Sequence, residues 1–158
     1  MNATKERTCE DRVEASRDSR LADLRKLWEL YCDGDEDGDE ETGNLWEYGL
    51  SFDYVVPETF TDQDEGFWRY QISCGGPQEE IRFYASLTPG KCADWCEHCT
   101  PYDKPSPHPM TAHLYRAEFW FLDWFDGASR DVTNEDTVRD LWEWFNECGS
   151  VESTFNEG

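Results

Sequence analysis

The sequence predicts a single α+β domain spanning 1–158: an antiparallel sheet of three to four strands flanked by an N-terminal and a C-terminal helix. Three observations carry this. Apolar residues recur at three- and four-residue spacing near both ends of the chain, period-two alternation marks its middle, and the strands are grouped together. Strand–helix alternation of the kind that builds parallel nucleotide-binding sheets is missing, and no internal repeat is visible. At 158 residues the chain can bury a core without staples.

Residues 9–31 read as an amphipathic helix through Val13, Leu21, Leu24, Leu27, Trp28 and Tyr31, with a continuous stripe only from Leu21 onward. The stretch "DGDEDGDEETGN", residues 33–44, holds three glycines and seven carboxylates and reads as an acidic surface loop. "LWEYGLSFDYVV" predicts a strand over 45–56, followed by the polar connection "PETFTDQDEG". In "FWRYQISC" Trp68, Tyr70 and Ile72 share one face, and in "EIRFYASL" Ile81, Phe83, Ala85 and Leu87 do. With "GGPQE" between them, the two form a hairpin.

Residues 88–112 are rich in proline and cysteine and predict a loop. "AHLYRAEFWFLDWF" is the next strand, with Tyr115, Ala117, Phe119 and Phe121 alternating against Arg116, Glu118, Trp120 and Leu122. Apolar residues on both faces of its second half imply cover on both sides. "DGAS" reads as a turn. A helix is then expected from a cap at Thr133 or Asn134, turning Val138, Leu141, Trp142, Phe145 and Cys148 inward and ending at Gly149. Trp142 and Trp144 do not easily face inward together, so Trp144 is expected at the surface as a protein-binding residue. Residues 150–158 read as a flexible tail.

Charge narrows the function. The formal net charge is −22, from 36 acidic and 14 basic residues. Residues 1–31 are neutral, seven of each sign, so the excess lies wholly in residues 32–158. Such a body repels nucleic acids and anionic membranes, because phosphate binding needs Lys and Arg to displace counterions. It attracts basic surfaces of proteins or ribonucleoprotein complexes, with Asp33, Asp35, Asp37, Asp39, Glu40 and Glu41 as the densest contact candidates. The first twenty residues lack a signal-like apolar core, and no window approaches a membrane span, so a cytoplasmic location is expected.

One stretch resembles chemistry. "KCADWCEHCT" places Cys92, Cys96 and Cys99 close together, and thiolates with one imidazole suit zinc. His108, His113 or Cys74 could supply the fourth ligand; the alternative is a loop of unpaired thiols. The C-x3-C-x2-C spacing also matches the cluster loop of radical S-adenosylmethionine enzymes, but too little chain follows to build their barrel. Asp33, Asp35, Asp37 and Gly38 fit positions 1, 3, 5 and 6 of a calcium-binding EF-hand, yet Asn44 stands where its bidentate Glu belongs. Asp53, Glu118, Asp123 and Asp126 could converge as a metal-binding nuclease cluster, without the usual lysine. No hydrolase, phosphate-loop or dinucleotide motif occurs.

The stretches 48–84 and 118–128 resemble a family of small acidic proteins carried by plasmids, phages and integrative elements. That resemblance implies no catalytic residues. It implies a neighbourhood in which acidic proteins block host restriction or CRISPR defences, some by presenting carboxylates where a nuclease expects phosphates. The expected function is therefore protein–protein binding by an acidic, nucleic-acid-mimicking inhibitor. The rivals are a zinc-stabilised adaptor, a surface made acidic for solubility, and an enzyme whose site has no sequence motif.

Overall fold

The computed structural model describes residues 8–35, 37–74, 76–88, 111–123 and 126–157. The elements are α1 (Cys9–Cys32), α2 (Leu45–Tyr48), β1 (Ser51–Val55), β2 (Phe67–Ser73), β3 (Gln78–Thr88), β4 (Thr111–Asp123), β5 (Asp126–Asp131), α3 (Asp136–Glu147) and α4 (Ser150–Glu157). The sheet order is β1-β2-β3-β4-β5, antiparallel throughout, so the fold is α+β with helices at both ends. The described residues form five strands rather than three or four.

Cross-strand rows build the core. Phe52, Tyr70, Ile81 and Phe119 lie in one row, and Tyr54, Trp68, Phe83 and Ala117 in the next. Against these rows pack Val138, Leu141, Trp142 and Phe145 of α3 and Val151 of α4. Phe145 stacks on Phe52 at 4.1 Å, and Trp142 meets Trp68 edge-on at 5.5 Å. The opposite face of the sheet carries a smaller cluster, Val55, Phe67 and Tyr84.

Five expectations about single elements need correction. The segment 45–56 is not one strand: the Asn44 side chain accepts the Glu47 amide and starts the one-turn helix α2, and the strand begins only at Ser51. "DGASRD" is the fifth strand rather than a turn, because the edge of β4 that faces away from β3 pairs with it over Glu118–Asp123. Residues 150–157 form α4 rather than a tail. Gly149, at φ +79°, lets the chain break from α3, and the Val151 carbonyl accepts the Trp68 indole N–H at 3.1 Å. The cap of α3 is Glu135, not Thr133 or Asn134; the Thr133 hydroxyl is engaged with Asp131 and the Ala117 carbonyl. Cys148, expected inward, caps that helix in an exposed position.

The first half of α1 lacks a continuous apolar stripe and docks mainly through polar contacts. Cys9 and Val13 are buried, and a capping box between Thr8 and Asp11 closes the helix start. Around them Arg12 bonds Asp123 at 2.9 Å, the Cys9 amide donates to Asp126 at 2.8 Å, and Arg130 of β5 reaches Glu10 and Glu14. Further along, Arg20 grips buried Glu79 with two nitrogens, and Ser16 and Ser73 also donate to that carboxylate. Arg25 joins α1 to Asp140 and Thr137 of α3.

Burial pushes the Glu79 carboxyl up, but the bonds from Arg20, Ser16 and Ser73 outweigh it and leave the group below its ordinary 4.5. A depressed carboxyl stabilises the fold above its unfolded value, and that contribution is lost as pH falls through the folded value. Glu79→Gln is therefore expected to lower stability at pH 7. The gap to the parent protein should shrink as the pH falls below about 4.5, measured by urea unfolding across the pH series; a constant gap would contradict this role.

Candidate functional site

The described cations of this chain, with one exception, are turned to internal use. Of the basic residues described, Arg12, Arg17, Arg20, Arg25, Lys26, Arg69, Arg82, Arg116 and Arg130 each pair with a carboxylate of the chain. Only Arg139 among them makes no ion pair, contacting Asn134 at 3.5 Å. All nine described arginines except Arg139 are at least partly buried. Carboxylates face outward instead: Asp33, Asp35, Asp37, Glu40 and Glu41 on the loop after α1, Glu58, Asp62 and Asp64 before β2, and Glu135, Asp136, Glu143 and Glu147 along α3.

The acidic loop is shaped, not merely charged. Asp33 caps α1, the Asp35 carboxylate accepts the Asp37 amide, and Asp39 pairs with Gly43 across a short bridge. Gly38, at φ +78°, passes so close to Gly43 that an added Cβ would lie 2.2 Å from its carbonyl oxygen. Asp39 is not free: the bond from Lys26 at 2.8 Å, with a second from Thr42, holds its carboxyl below the ordinary range. The one-turn helix that follows the loop is not the exiting helix of an EF-hand.

The other predicted residues separate. Cys92, Cys96, Cys99 and His108 lie outside the described residues. His113 is exposed on β4 opposite Ser86, two residues from the point where the chain re-enters the sheet. Cys74 follows the other end of β2, beside the Ser73–Glu79 pair. Glu79 and Ser86 are seven residues apart on β3, roughly 23 Å, so Cys74 and His113 cannot ligate one ion. Among the described residues no group of three metal-ligating side chains occurs. The nuclease arrangement does not form: Asp53 pairs with Arg69 on β1–β2, about 14 Å across the sheet from β4, while Asp123 and Asp126 hold α1.

Trp144 is not at the surface. It is 4 % exposed, covered by Trp46 at 4.5 Å and by Tyr31 at 5.9 Å. Both tryptophans of α3 turn inward: Trp142 packs on Trp68 and Phe83, and α2 brings Trp46 over Trp144. Among the described residues the exposed indole is Trp46, at 59 %. The sequence signal for it was the Asn44-x-x-Glu47 pattern of a helix start.

The outer face of the sheet holds a second feature with no sequence motif. Asp53, Arg69, Arg82, Glu118 and Asp131 form one continuous cross-strand row. Arg82 bonds Glu80 at 2.7 Å, and Glu80 is only 1 % exposed. The guanidinium lies 4.1 Å over Trp120 and 4.7 Å over Phe67. Arg116 stacks 3.9 Å over Tyr84 and ties Glu65 at 2.8 Å. Together with residues 60–65 these groups line an open cleft of about 440 Å³. Both of its cations are already neutralised, so it offers no free positive charge for an anionic substrate.

Comparison of the chain with protein-family models, with curated proteins and with solved structures finds no match.

Removing one partner of a buried ion pair strands the other charge. Arg82→Met is expected to lower unfolding free energy by about 3–5 kcal/mol. Arg82→Met with Glu80→Leu should recover most of that loss in the same denaturation assay; equal losses in the two proteins would show that Glu80 is not stranded.

Proposed function

We propose that this protein acts by protein–protein binding, presenting its carboxylates to a basic surface of a protein or ribonucleoprotein complex. The observation that carries the reading is the sorting of charge: every described Lys and Arg but Arg139 is held in an internal pair, while loop, strand-connection and helix carboxylates face solvent. A field of one sign steers an oppositely charged partner and rejects polyanions. Combined with the resemblance to small acidic proteins of plasmids, phages and integrative elements, this makes a nucleic-acid-mimicking inhibitor of a host restriction or CRISPR complex the best-supported role. A cytoplasmic site of action belongs to the same reading. No helix described is long and apolar enough to cross a membrane.

The test is capture of proteins from a bacterial lysate on the immobilised chain, with duplex DNA as competitor. Retained proteins should be nucleic-acid binders that DNA displaces, and their capture should fall at least about tenfold from low to high salt. The triple variant Asp37→Asn, Glu40→Gln, Glu41→Gln should associate more slowly with unchanged stability. Partners that neither DNA nor salt releases would count against the reading.

The thiols of Cys92, Cys96 and Cys99, with His108 or His113, are proposed as a zinc staple for the segment between β3 and β4. His113 stands beside that segment's return to the sheet, which favours it over Cys74. Elemental analysis of protein purified without added metal should find about one zinc per chain; freely titrating thiols and no zinc would remove the staple.

A further inference from the structure

Between α2, the start of β1 and the end of α3 lies a cleft of about 200 Å³, walled by Trp46, Leu50, Phe52, Tyr70, Trp144 and Cys148. Its volume falls below the roughly 300–1,000 Å³ of small-molecule sites and suits one bulky side chain. Trp46 and Leu50, at 59 % and 58 %, are the most exposed large apolar residues described, and both stand at this cleft. Apolar residues left in water side by side, in a chain this acidic, mark a contact surface.

The floor of the cleft is held fixed. Gly49 lies against the Tyr70 ring, where a Cβ would come within 2.2 Å of Cε2. The Trp144 indole N–H is buried without a hydrogen-bond partner, a donor that a carbonyl oxygen would satisfy. Glu47 and Glu147, the chain neighbours of the lining residues Trp46 and Cys148, are exposed. β1 pairs only with β2, so its other edge is open among the described strands.

Building on the binding function proposed above, we infer that this cleft is the anchor point for the basic partner. It receives one bulky apolar side chain from an extended, Lys/Arg-rich segment. The segment's backbone continues along the open edge of β1, and its cations meet Glu47 and Glu147. The acidic surface supplies attraction, and the cleft supplies position.

Two synthetic peptides test this on the full chain: a short extended peptide of Lys and Arg with one central Leu, and its Leu→Ala twin. The readouts are calorimetric affinity and nitrogen–proton NMR shifts. The Leu peptide should bind at least about tenfold tighter, the difference expected from burying one Leu side chain. It should move the indole signals of Trp46 and Trp144 and the amides of residues 50–55. Leu50→Asn, at a position more than half exposed, should keep the thermal midpoint and lose most of the preference for Leu; Trp46→Ala should lose it too. Equal binding of both peptides, with shifts spread over the acidic loop and α1, would overturn the anchor while leaving recognition of a basic partner intact. Binding of neither peptide at low ionic strength would overturn both.

Discussion

The inward pairing of arginine is the interaction on which this structure depends. A chain with 36 acidic and 14 basic residues repels itself, and self-repulsion weakens any compact state. Here several of the described guanidiniums are placed between elements. Arg12, Arg20 and Arg25 tie α1 to β4, β3 and α3, and Arg130 reaches back from β5 to α1. Guanidinium suits the task because its planar fork makes two bonds at once, as Arg20 does with Glu79. The same placement leaves the outside to carboxylates. Cohesion of the fold and the sign of its surface are therefore two results of one arrangement.

Aromatic rings do the complementary work. On the helix side, Phe52, Phe83, Trp68, Trp142 and Phe145 make a connected cluster of tilted and stacked rings. On the other side, Trp120, Phe67 and Tyr84 lie under guanidiniums, so arginine closes over apolar surface that no described helix covers. A sheet with helices on one face alone would otherwise leave those rings in water. Residues 56–66 add to the cover through Gln63, whose side chain bonds the backbone of Val56, Phe60 and Glu65.

The acidic loop and the apolar cleft are mechanically linked. Tyr31, at the end of α1, and Trp46, in α2, bracket the loop, and both rings rest on Trp144 of α3. The loop's ends are thus fixed to the core while Asp35, Asp37, Glu40 and Glu41 project outward. Charge held on a rigid frame loses less freedom on binding than charge on a mobile tail, which favours affinity. A cleft beside it with a glycine-fitted wall adds a point of register that a smooth acidic surface lacks.

Long periodic segments were legible in the sequence. The spacing of Leu21, Leu24 and Leu27, the alternation in 67–73 and 80–87, and the stripe Val138–Leu141–Phe145 each specify an element because one face must be buried whatever the neighbours are. The charge excess and its confinement to residues 32–158 are likewise properties of composition. Tertiary structure alone decided the rest. "DGASRD" becomes a strand because β4 offers it an edge, and Ser150–Glu157 becomes a helix because Val151 and Phe155 find the sheet. Trp144 is buried because Trp46, 98 residues earlier in the chain, folds over it. Which arginine meets which carboxylate, and which indole is left in water, depend on contacts between distant segments. Local periodicity carries no record of those contacts.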